Sequence, residues 1–267
     1  MIEYYENLTT KEMAEVDKEK TMVMIPLGAT EQHGPQAPLG TDKMIADAMP
    51  QFLRDKLEAD DVDIDLLIFP TIPIGLSVEH MPFSGTVSFR PETYYQMLKD
   101  IVLSIAEHGF RKIIFLICHG GNRPVVDLLS RQLRYEKGIY IFALGSGAFL
   151  DPEVQATISP DNTWDFHGGE METSMVLAIH PETVKLAYSE TGYKSGGFEN
   201  KQHLNFSGSC ALNWMGTDLR TKEGKPIGIG GNPKGATAEK GSIIFKRSIE
   251  AIIPGILEIR DFKIQSH

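Results

Sequence analysis

Short apolar runs alternate with amphipathic stretches along most of this chain, and this alternation constrains the fold more than any other feature. Lys112 to Cys118 (KIIFLIC) is apolar enough to form a strand that is buried on both faces. Just before it, Pro91 and Glu92 suit the first turn of a helix that reaches about His108. Strands that alternate with helices indicate βαβ units and a parallel sheet. We therefore predict an α/β fold.

The rest of the chain continues this alternation and then loses it. We predict a first strand at Met22–Leu27, further strands at Leu66–Ile74 and 139–145, and helices at Lys43–Leu57, 124–136, 171–180 and Thr237–Phe262, with Pro254-Gly255 as a site of bending. Residues 188–236 are rich in Gly, Asn and Lys and have little periodicity, so we expect a long irregular excursion that serves as a lid or a subunit contact. No repeat or break in composition appears, and residues 1–267 are expected to form one domain.

Composition excludes several classes of protein. The formal net charge is −10 without a basic cluster, which argues against nucleic acid or an anionic membrane as a partner. Cys118 and Cys210 form no CxxC pair, so neither a disulfide framework nor a structural zinc site is expected. The polar, acidic start is not a signal peptide, and no apolar run approaches the roughly 18 residues of a membrane span. We expect a cytoplasmic protein.

The densest group of candidate ligands lies in GATEQHGPQAPLGTD, residues 28–42, directly after the first strand. Glu31 and His33 are two residues apart, so in extended chain their side chains point the same way. Asp42 reaches the start of the next helix, where a carboxylate suits the positive end of the helix dipole. Ligands of open parallel sheets bind at the carboxyl ends of the strands. The alternative is that Asp42 only caps its helix while Glu31 and His33 are solvated, and three potential ligands within one loop weigh against it.

His119 follows the strongest predicted strand and precedes Gly120-Gly121-Asn122. Two glycines let the backbone pass close to a ligand, and this strand end should face the same sheet edge as Glu31 and His33. The alternative is a purely structural histidine. A phosphate loop is a weak interpretation of CHGGN, because the segment has neither the GxGxxG spacing nor a Walker lysine.

A third group of polar residues lies in 164–174, WDFHGGEMETS. If the chain is helical from about residue 170, Glu170 and Glu172 lie about 200° apart and cannot both face one site. Glu172 shares a row with apolar residues, so we expect it to be buried and to orient a ligand. Glu170 is expected at the mouth of the helix beside His167. A helix-entry residue without chemistry is the alternative for His167.

Five segments together resemble the creatininase (creatinine amidohydrolase) family: GATEQHGPQAPLGTD, SVEHMPFSGT, CHGGN, HGGEMETS and GNPKGATAEKG. They occur in order over nearly the whole chain, and the first and fourth are long enough to be specific. The resemblance implies a three-layer α/β/α sandwich around a mostly parallel sheet, with two divalent metal ions at its carboxyl end. It also implies assembly into homo-oligomers, with hexamers among the family's assemblies.

The resemblance assigns metal ligands with one departure from the family pattern. By resemblance Glu31 would bind the first metal, His33 the second, Asp42 would bridge them, and His119 would complete the first set. Creatininase carries a glutamate ligand two residues after this histidine, where this chain has Gly121. We predict that Glu170 supplies the missing carboxylate, with Glu172 orienting a ligand behind it. Such a set suits zinc, manganese or iron(II).

The substrate pocket is expected to differ from that of creatininase itself. The tyrosine that creatininase places against its substrate is Gly120 here, so the chain resembles a branch that does not act on creatinine. His167 is our candidate general acid, donating a proton to a leaving nitrogen. The expected substrate contacts are His80, Gly120, Trp164 and Asp165.

These features predict a two-metal hydrolase that acts on a small polar carbonyl compound. A hydroxide that bridges the metals would cleave a C–N bond, other than a peptide bond, in a cyclic amide or a formamide. The first alternative is ring-opening C–C hydrolysis of a cyclic diketone such as a keto-inositol. The others are a metal-stabilised binding protein without turnover and a nucleotide-binding α/β protein that uses the glycines near His119.

Overall fold

A computed structural model of the chain describes residues 1–145, 151–160, 162, 164–195, 197–198 and 201–264. Within this part of the chain, five parallel strands form one sheet in the order β1-β3-β2-β4-β5. The strands are β1 Ile2–Tyr4, β2 Met22–Leu27, β3 Leu66–Ile68, β4 Lys112–Ile117 and β5 Tyr140–Gly145. The central pair, β2 and β4, is aligned over six residues from Met22↔Lys112 to Leu27↔Ile117.

Helices cover both faces of this sheet. They are α1 Thr10–Glu15, α2 Thr41–Ala59, α3 Pro91–Glu107, α4 Arg123–Lys137, α5 Pro152–Thr157, α6 Glu170–Ile179 and α7 Ala238–Asp261. Met22 and Met24 pack with α2, α6 and α7, whereas Val23 and Ile25 pack with α3 and α4. The two cores therefore share one sheet, with burial of each large apolar side chain contributing about 1.5–3 kcal/mol. The predicted three-layer α/β/α sandwich is confirmed.

The sequence-based boundaries need two corrections. Met22–Leu27 is the second strand, because Ile2–Tyr4 precedes it at the sheet edge, where a short half-buried strand carries no long apolar run. Strand β3 ends at Ile68 and does not reach Ile74, since prolines at 70 and 73 interrupt the ladder. The closing helix is confirmed, since α7 spans Ala238–Asp261 and includes Pro254, while the bend at Pro254-Gly255 stays a prediction.

The junction between β2 and α2 determines where the first polar segment lies. Gly28 follows β2 directly, and a Cβ atom added there would lie 2.7 Å from the Cα of Lys43 in α2. The strand end and the helix start thus pack backbone to backbone, which only glycine permits. This contact places Asp42, in the first turn of α2, beside the residues that follow β2.

The predicted excursion over residues 188–236 contains little regular structure in its described part. Its described strands are the short antiparallel pair β6 Tyr193–Lys194 and β7 Leu219–Arg220. Near the end of the segment, Gly230 forms an isolated antiparallel bridge with His167. Of the helices in the described ranges, none combines the length and apolarity that crossing a membrane requires.

Candidate metal centre

The carboxyl ends of β2 and β4 and the first turn of α2 meet at one buried cluster. His119 Nδ1 lies 3.1 Å from Asp42 Oδ2 and 3.4 Å from Glu31 Oε1. His33 Nε2 lies 3.1 Å from Asp42 Oδ1. Glu31 is fully buried, and the other three residues are at most 6 % exposed. The structure therefore brings together four of the five residues that the sequence predicts as metal ligands.

Two more histidines complete the cluster. His80 Nε2 lies 3.6 Å and His167 Nδ1 3.7 Å from Glu31 Oε1. The His167 ring stacks on that of His80, with the ring centroids 4.1 Å apart, and lies 4.3 Å from the ring of His33. His80 was predicted as a substrate contact and His167 as a proton donor, and both side chains do reach the centre.

One ring nitrogen of each histidine is held by a backbone carbonyl or a glutamine side-chain oxygen, which leaves the other nitrogen facing the carboxylates of the cluster. The four pairs are His33 Nδ1 with Glu31 O (3.2 Å), His80 Nδ1 with Gln32 Oε1 (3.1 Å), His119 Nε2 with Leu76 O (2.7 Å) and His167 Nε2 with Gln32 O (2.9 Å). An imidazole that donates one N–H to an oxygen has a free lone pair on its other nitrogen. This arrangement is typical of metal-ligating histidines.

The structure does not bring Glu170, predicted to supply the second carboxylate, into the cluster. Glu170 is fully buried and forms an ion pair with Lys240 of α7, and its carboxylate also accepts hydrogen bonds from the Ser159 backbone and the Asn162 side chain. Glu172 reaches the cluster instead, with Oε2 3.6 Å from His33 Nε2. The two side chains do point to different faces of α6. The sequence grouped Glu172 with apolar residues on one face of α6, which suggested that it lies away from the metal ligands. In the structure that face is only partly apolar, and Glu172 faces the cluster from it.

The structure explains why residue 121 is a glycine. A Cβ atom added at this position would lie 2.3 Å from Leu76 O and 2.4 Å from His119 Nε2, the two atoms that hydrogen-bond to each other. A glutamate cannot occupy Gly121 without displacing that hydrogen bond. The carboxylate must come from another element, and Glu172 of α6 lies where it is needed.

Two predicted substrate contacts lie elsewhere. Asp165 caps the start of α6 by accepting a hydrogen bond from the Glu170 backbone, and it also accepts one from Asn162 Nδ2 at 2.6 Å. Burial raises its pKa to about 6 against these hydrogen bonds. Trp164 packs on Phe166, with centroids 4.5 Å apart, and lines a separate cavity with Asn162. Both residues support the loop before α6 and do not line the cleft above the cluster.

The electrostatics of the cluster favour a bound cation. Burial raises the pKa of Glu31 to about 7, and burial likewise raises the pKa of Glu172 to about 7. Burial opposes protonation of His33, but Asp42 beside it raises the histidine pKa to about 10. Burial alone would raise the pKa of Asp42, yet His33 and His119 beside it hold that pKa well below its usual range. Protons thus balance buried carboxylates here, a role that divalent ions can take over.

Several ligand atoms have no hydrogen-bond partner among the described residues. They are both carboxylate oxygens of Glu31, His33 Nε2, Asp42 Oδ2 and His80 Nε2. Glu31, His33 and Asp42 form one group whose ligand atoms all lie within 4.8 Å of one another, and His33, His167 and Glu172 form another. Buried polar atoms without partners are costly, whereas metal coordination would satisfy them. The residues present therefore fit divalent metal ions.

A cleft of about 890 Å³ opens above the cluster. His80, His119 and Gly120 line its floor, and a Cβ atom added at Gly120 would meet nothing within 4 Å. Phe206 and Trp214 of the irregular excursion line its wall, with the Trp214 ring 5.3 Å from that of His80. Part of the excursion is therefore a wall of the cleft.

Sequence reasoning missed three residues that organise this region. Gln32 holds two histidines, Gln36 donates hydrogen bonds to the carbonyls of His33 and Gly168, and Trp214 covers the cleft. The two glutamines lie within the first motif, so their position beside Glu31 and His33 was an available signal. Trp214 lies in a segment without periodicity, and only the tertiary structure brings it to the site.

Three carboxylates and four histidines at the carboxyl end of a parallel sheet, within a three-layer sandwich, define the class of metal-dependent α/β hydrolases. The profile of the Creatininase (creatinine amidohydrolase) family matches residues 6–256. The chain therefore belongs to the creatininase family of metal-dependent amidohydrolases.

Curated relatives place the chain outside creatininase itself. It is 31% identical over 237 residues to the mycofactocin precursor peptide peptidase of Mycobacterium ulcerans, an alignment that covers 88% of this chain and 84% of that protein. It is 30% identical over 195 residues to the creatinine amidohydrolase of Pseudomonas putida, with coverages of 67% and 72%. It is 26% identical over 266 residues to the 3-dehydro-scyllo-inosose hydrolase of Thermotoga maritima, with coverages of 94% and 80%.

Solved structures agree with the fold. A manganese form of creatininase superimposes with a TM-score of 0.74 at 25% identity, covering 96% of this chain and 97% of the other. The same sandwich thus holds a metal in a related protein.

Proposed function

We propose that this protein is a two-metal hydrolase that cleaves an amide C–N bond. The observation that carries the proposal is the set of inward-facing ligand atoms without hydrogen-bond partners. Glu31 and His119 would hold one divalent ion, His33 and Glu172 the other, and Asp42 would bridge them. The distances of Asp42 support the bridging role, since its two oxygens lie 3.1 Å from His33 and from His119 respectively. Zinc, manganese and iron(II) all accept this ligand set.

Two bound metal ions would polarise the substrate carbonyl and lower the pKa of a nearby water. The protein's own groups would do the remaining work. His80 lines the cleft with Nε2 unpaired, so it is placed to exchange a proton with the leaving nitrogen. His167 stacks on the ring of His80 but does not line the cleft. Phe166 and Trp214 narrow the access of water to the floor of the cleft.

The amide C–N bond is favoured over other bonds on two grounds. Of the three relatives named above, two have names that describe C–N hydrolysis. The open space at Gly120 removes the wall that would hold creatinine, so we propose another amide, either cyclic, a formamide or peptide-like. C–C hydrolysis of a cyclic keto-inositol, suggested by the third relative, is the competing outcome.

Metal analysis followed by a substrate panel tests this function. Elemental analysis should find two divalent ions per chain in the purified protein, and Asp42→Ala should lose most of both because a bridging carboxylate serves each. The panel comprises creatinine, cyclic amides, formamides, short peptides and a keto-inositol. We expect turnover of an amide with a kcat on the order of 1–10³ s⁻¹ and none of creatinine at such a rate. Two tightly held ions in Asp42→Ala would refute the bridging role, and metal without any turnover would favour a binding protein.

We also propose that residues 1–267 form one domain that assembles into a homo-oligomer in the cytoplasm. The two cores share a single sheet, which supports one domain. Cys118 and Cys210 are both free, as a reducing compartment requires. Light scattering coupled to gel filtration would test the assembly, and a monomer at micromolar concentration would contradict it.

A further inference from the structure

We propose that the cleft takes amides that carry a carboxylate group next to an aromatic or apolar side chain, and that Arg90 binds the carboxylate. This inference rests on the proposed function, because it names the class of amide for the same site. Its grounds are an unpartnered cation, an exposed apolar wall and a single opposing charge.

Arg90 lines the same cleft as His80 and His119. It stands immediately before α3 as the N-cap residue, is exposed, and its side chain makes no capping hydrogen bond. Across the described ranges, its guanidinium group has no hydrogen bond or ion pair. A guanidinium presents parallel N–H donors that match both oxygens of a carboxylate. A free arginine at the rim of a catalytic cleft is therefore suited to hold an anionic part of the substrate.

The cleft that Arg90 lines also has an apolar wall, and this wall is unusually exposed. Val78 is 66%, Met81 52% and Met215 39% exposed, and all three line the cleft. Trp214 stands edge-on to Phe166 with their centroids 5.1 Å apart. Apolar side chains that gather at the surface around a cleft mark a binding site for an apolar group. An aromatic side chain of the substrate would fill this part of the cleft.

The cleft lining also carries a carboxylate, that of Glu79. Among the described residues it has no ion pair, with Arg90 or with any other group. Its carboxylate would repel an anionic group on its own side of the cleft. Arg90 and Glu79 together would therefore orient a substrate that has one carboxylate, and they would disfavour binding of polyanions.

A matched pair of ligands tests the role of Arg90 directly. N-formyl-L-phenylalanine and N-formyl-L-phenylalaninamide differ only in the carboxylate, and calorimetry on the metal-loaded protein gives their Kd, or kinetics their KM where hydrolysis occurs. We expect wild type to prefer the carboxylate about tenfold, and Arg90→Gln to lose this preference. Arg90→Lys should retain part of it. Arg131→Gln, a change at an exposed arginine of α4 outside the cleft lining, should keep all of it.

The remaining arms test the apolar wall and the opposing charge. N-formyl-L-alanine should bind about tenfold more weakly than the phenylalanine ligand, because it buries less apolar area. Glu79→Gln should strengthen binding of the carboxylate and leave that of the amide unchanged.

Several results would overturn the proposal: no binding of either ligand, equal affinities in wild type, a preference that survives Arg90→Gln, or an equal loss in Arg131→Gln. Formate release reports on the proposed function separately. A preference that depends on Arg90, together with no hydrolysis of any amide in the panel, would refute the hydrolase and leave the carboxylate subsite in place.

Discussion

Glu170 and Glu172 are two residues apart on α6, and their partners give them different roles. Glu170 joins the start of α6 to α7 through Lys240, while Glu172 approaches His33 and accepts a 2.6 Å hydrogen bond from the Gly168 backbone. Lys240 also donates to the carbonyl of Gly235 at 2.9 Å. One glutamate therefore ties two helices together, and the other completes the cluster.

Glu170→Gln and Glu172→Gln should separate these roles. Glu170→Gln leaves Lys240 without its carboxylate, so it should lower the free energy of unfolding by about 1–3 kcal/mol while both metals remain. Glu172→Gln should lose one metal ion and change stability mainly through that loss. Elemental analysis and urea denaturation of both variants measure this. If Glu170→Gln strips metal and Glu172→Gln does not, the assignment is reversed.

His80 and His167, whose rings stack, should differ in their effect on kcat. His80→Ala should lower kcat by roughly 10²–10⁴-fold, because His80 lines the cleft with Nε2 unpaired. His167→Ala should have the smaller effect on kcat, because His167 stacks on the ring of His80 but does not line the cleft. The comparison needs matched metal content in both variants. A large kcat loss in His167→Ala, with only KM raised in His80→Ala, would restore His167 as the proton donor that the sequence predicted.

At the scale of elements, the site depends on two close approaches of backbone. The end of β2 packs against the start of α2 at Gly28, and the turn after β4 packs against Leu76 at Gly121. Each contact places a polar residue of one element beside those of the next, Asp42 in the first case and His119 in the second. The relative placement of these elements therefore fixes the spacing of the cluster.

Gly28→Ala tests the first of these contacts. The added methyl group would lie 2.7 Å from the Cα of Lys43, so α2 must shift, at a cost of about 1–3 kcal/mol. The shift should displace Asp42 and reduce metal content. Gly120→Ala is the matched control, since its Cβ atom would meet nothing within 4 Å and thermal stability should stay unchanged. Equal melting temperatures and metal content for Gly28→Ala and wild type would contradict this account.

For the whole molecule, the cluster links both halves of the chain to one sheet edge. Glu31, His33, Asp42, His80 and His119 come from the first half, while His167 and Glu172 come from the second. Without metal, the cluster depends on protons shared among buried groups. Metal binding should therefore stabilise the entire fold and not only the loops that contribute ligands.

Chelation should lower the melting temperature, and more so at alkaline pH. The pKa values of His33 and His119 are both raised to about 10. The stability that these two protonated histidines add to the folded protein is therefore complete below their unfolded pKa of 6.5 and is lost as the pH rises towards 10. Metal binding strengthens with pH over the same window because protons compete less. At a metal concentration of about 1,000 Kd the gain is about 4 kcal/mol, on the order of 10 °C.

Calorimetric scans with and without chelator, at about pH 6 and about pH 8.5, measure this difference. The shift caused by the metal should be larger at the higher pH. A shift that is equal at both values, or absent, would show that the cluster does not bind metal in competition with protons.

The sequence by itself determined the α/β class, the three layers, and the residues Glu31, His33, Asp42 and His119 of the cluster. Apolar runs report directly on burial, and polar residues at the ends of neighbouring parallel strands meet whatever the details of packing. Residues close together along the chain, such as Glu31 and His33, therefore carry a strong signal.

Only the tertiary structure decided which glutamate of α6 faces the cluster and which side chains line the cleft. The rotation of α6 is fixed by Lys240, Ser159 and Asn162, partners that are distant in sequence or lie in irregular chain. Trp214 and Arg90 reach the cleft from segments that are distant in sequence from each other and from the first motif. Local patterns define the period of a helix, but its orientation about its own axis depends on contacts that form only when the chain has folded.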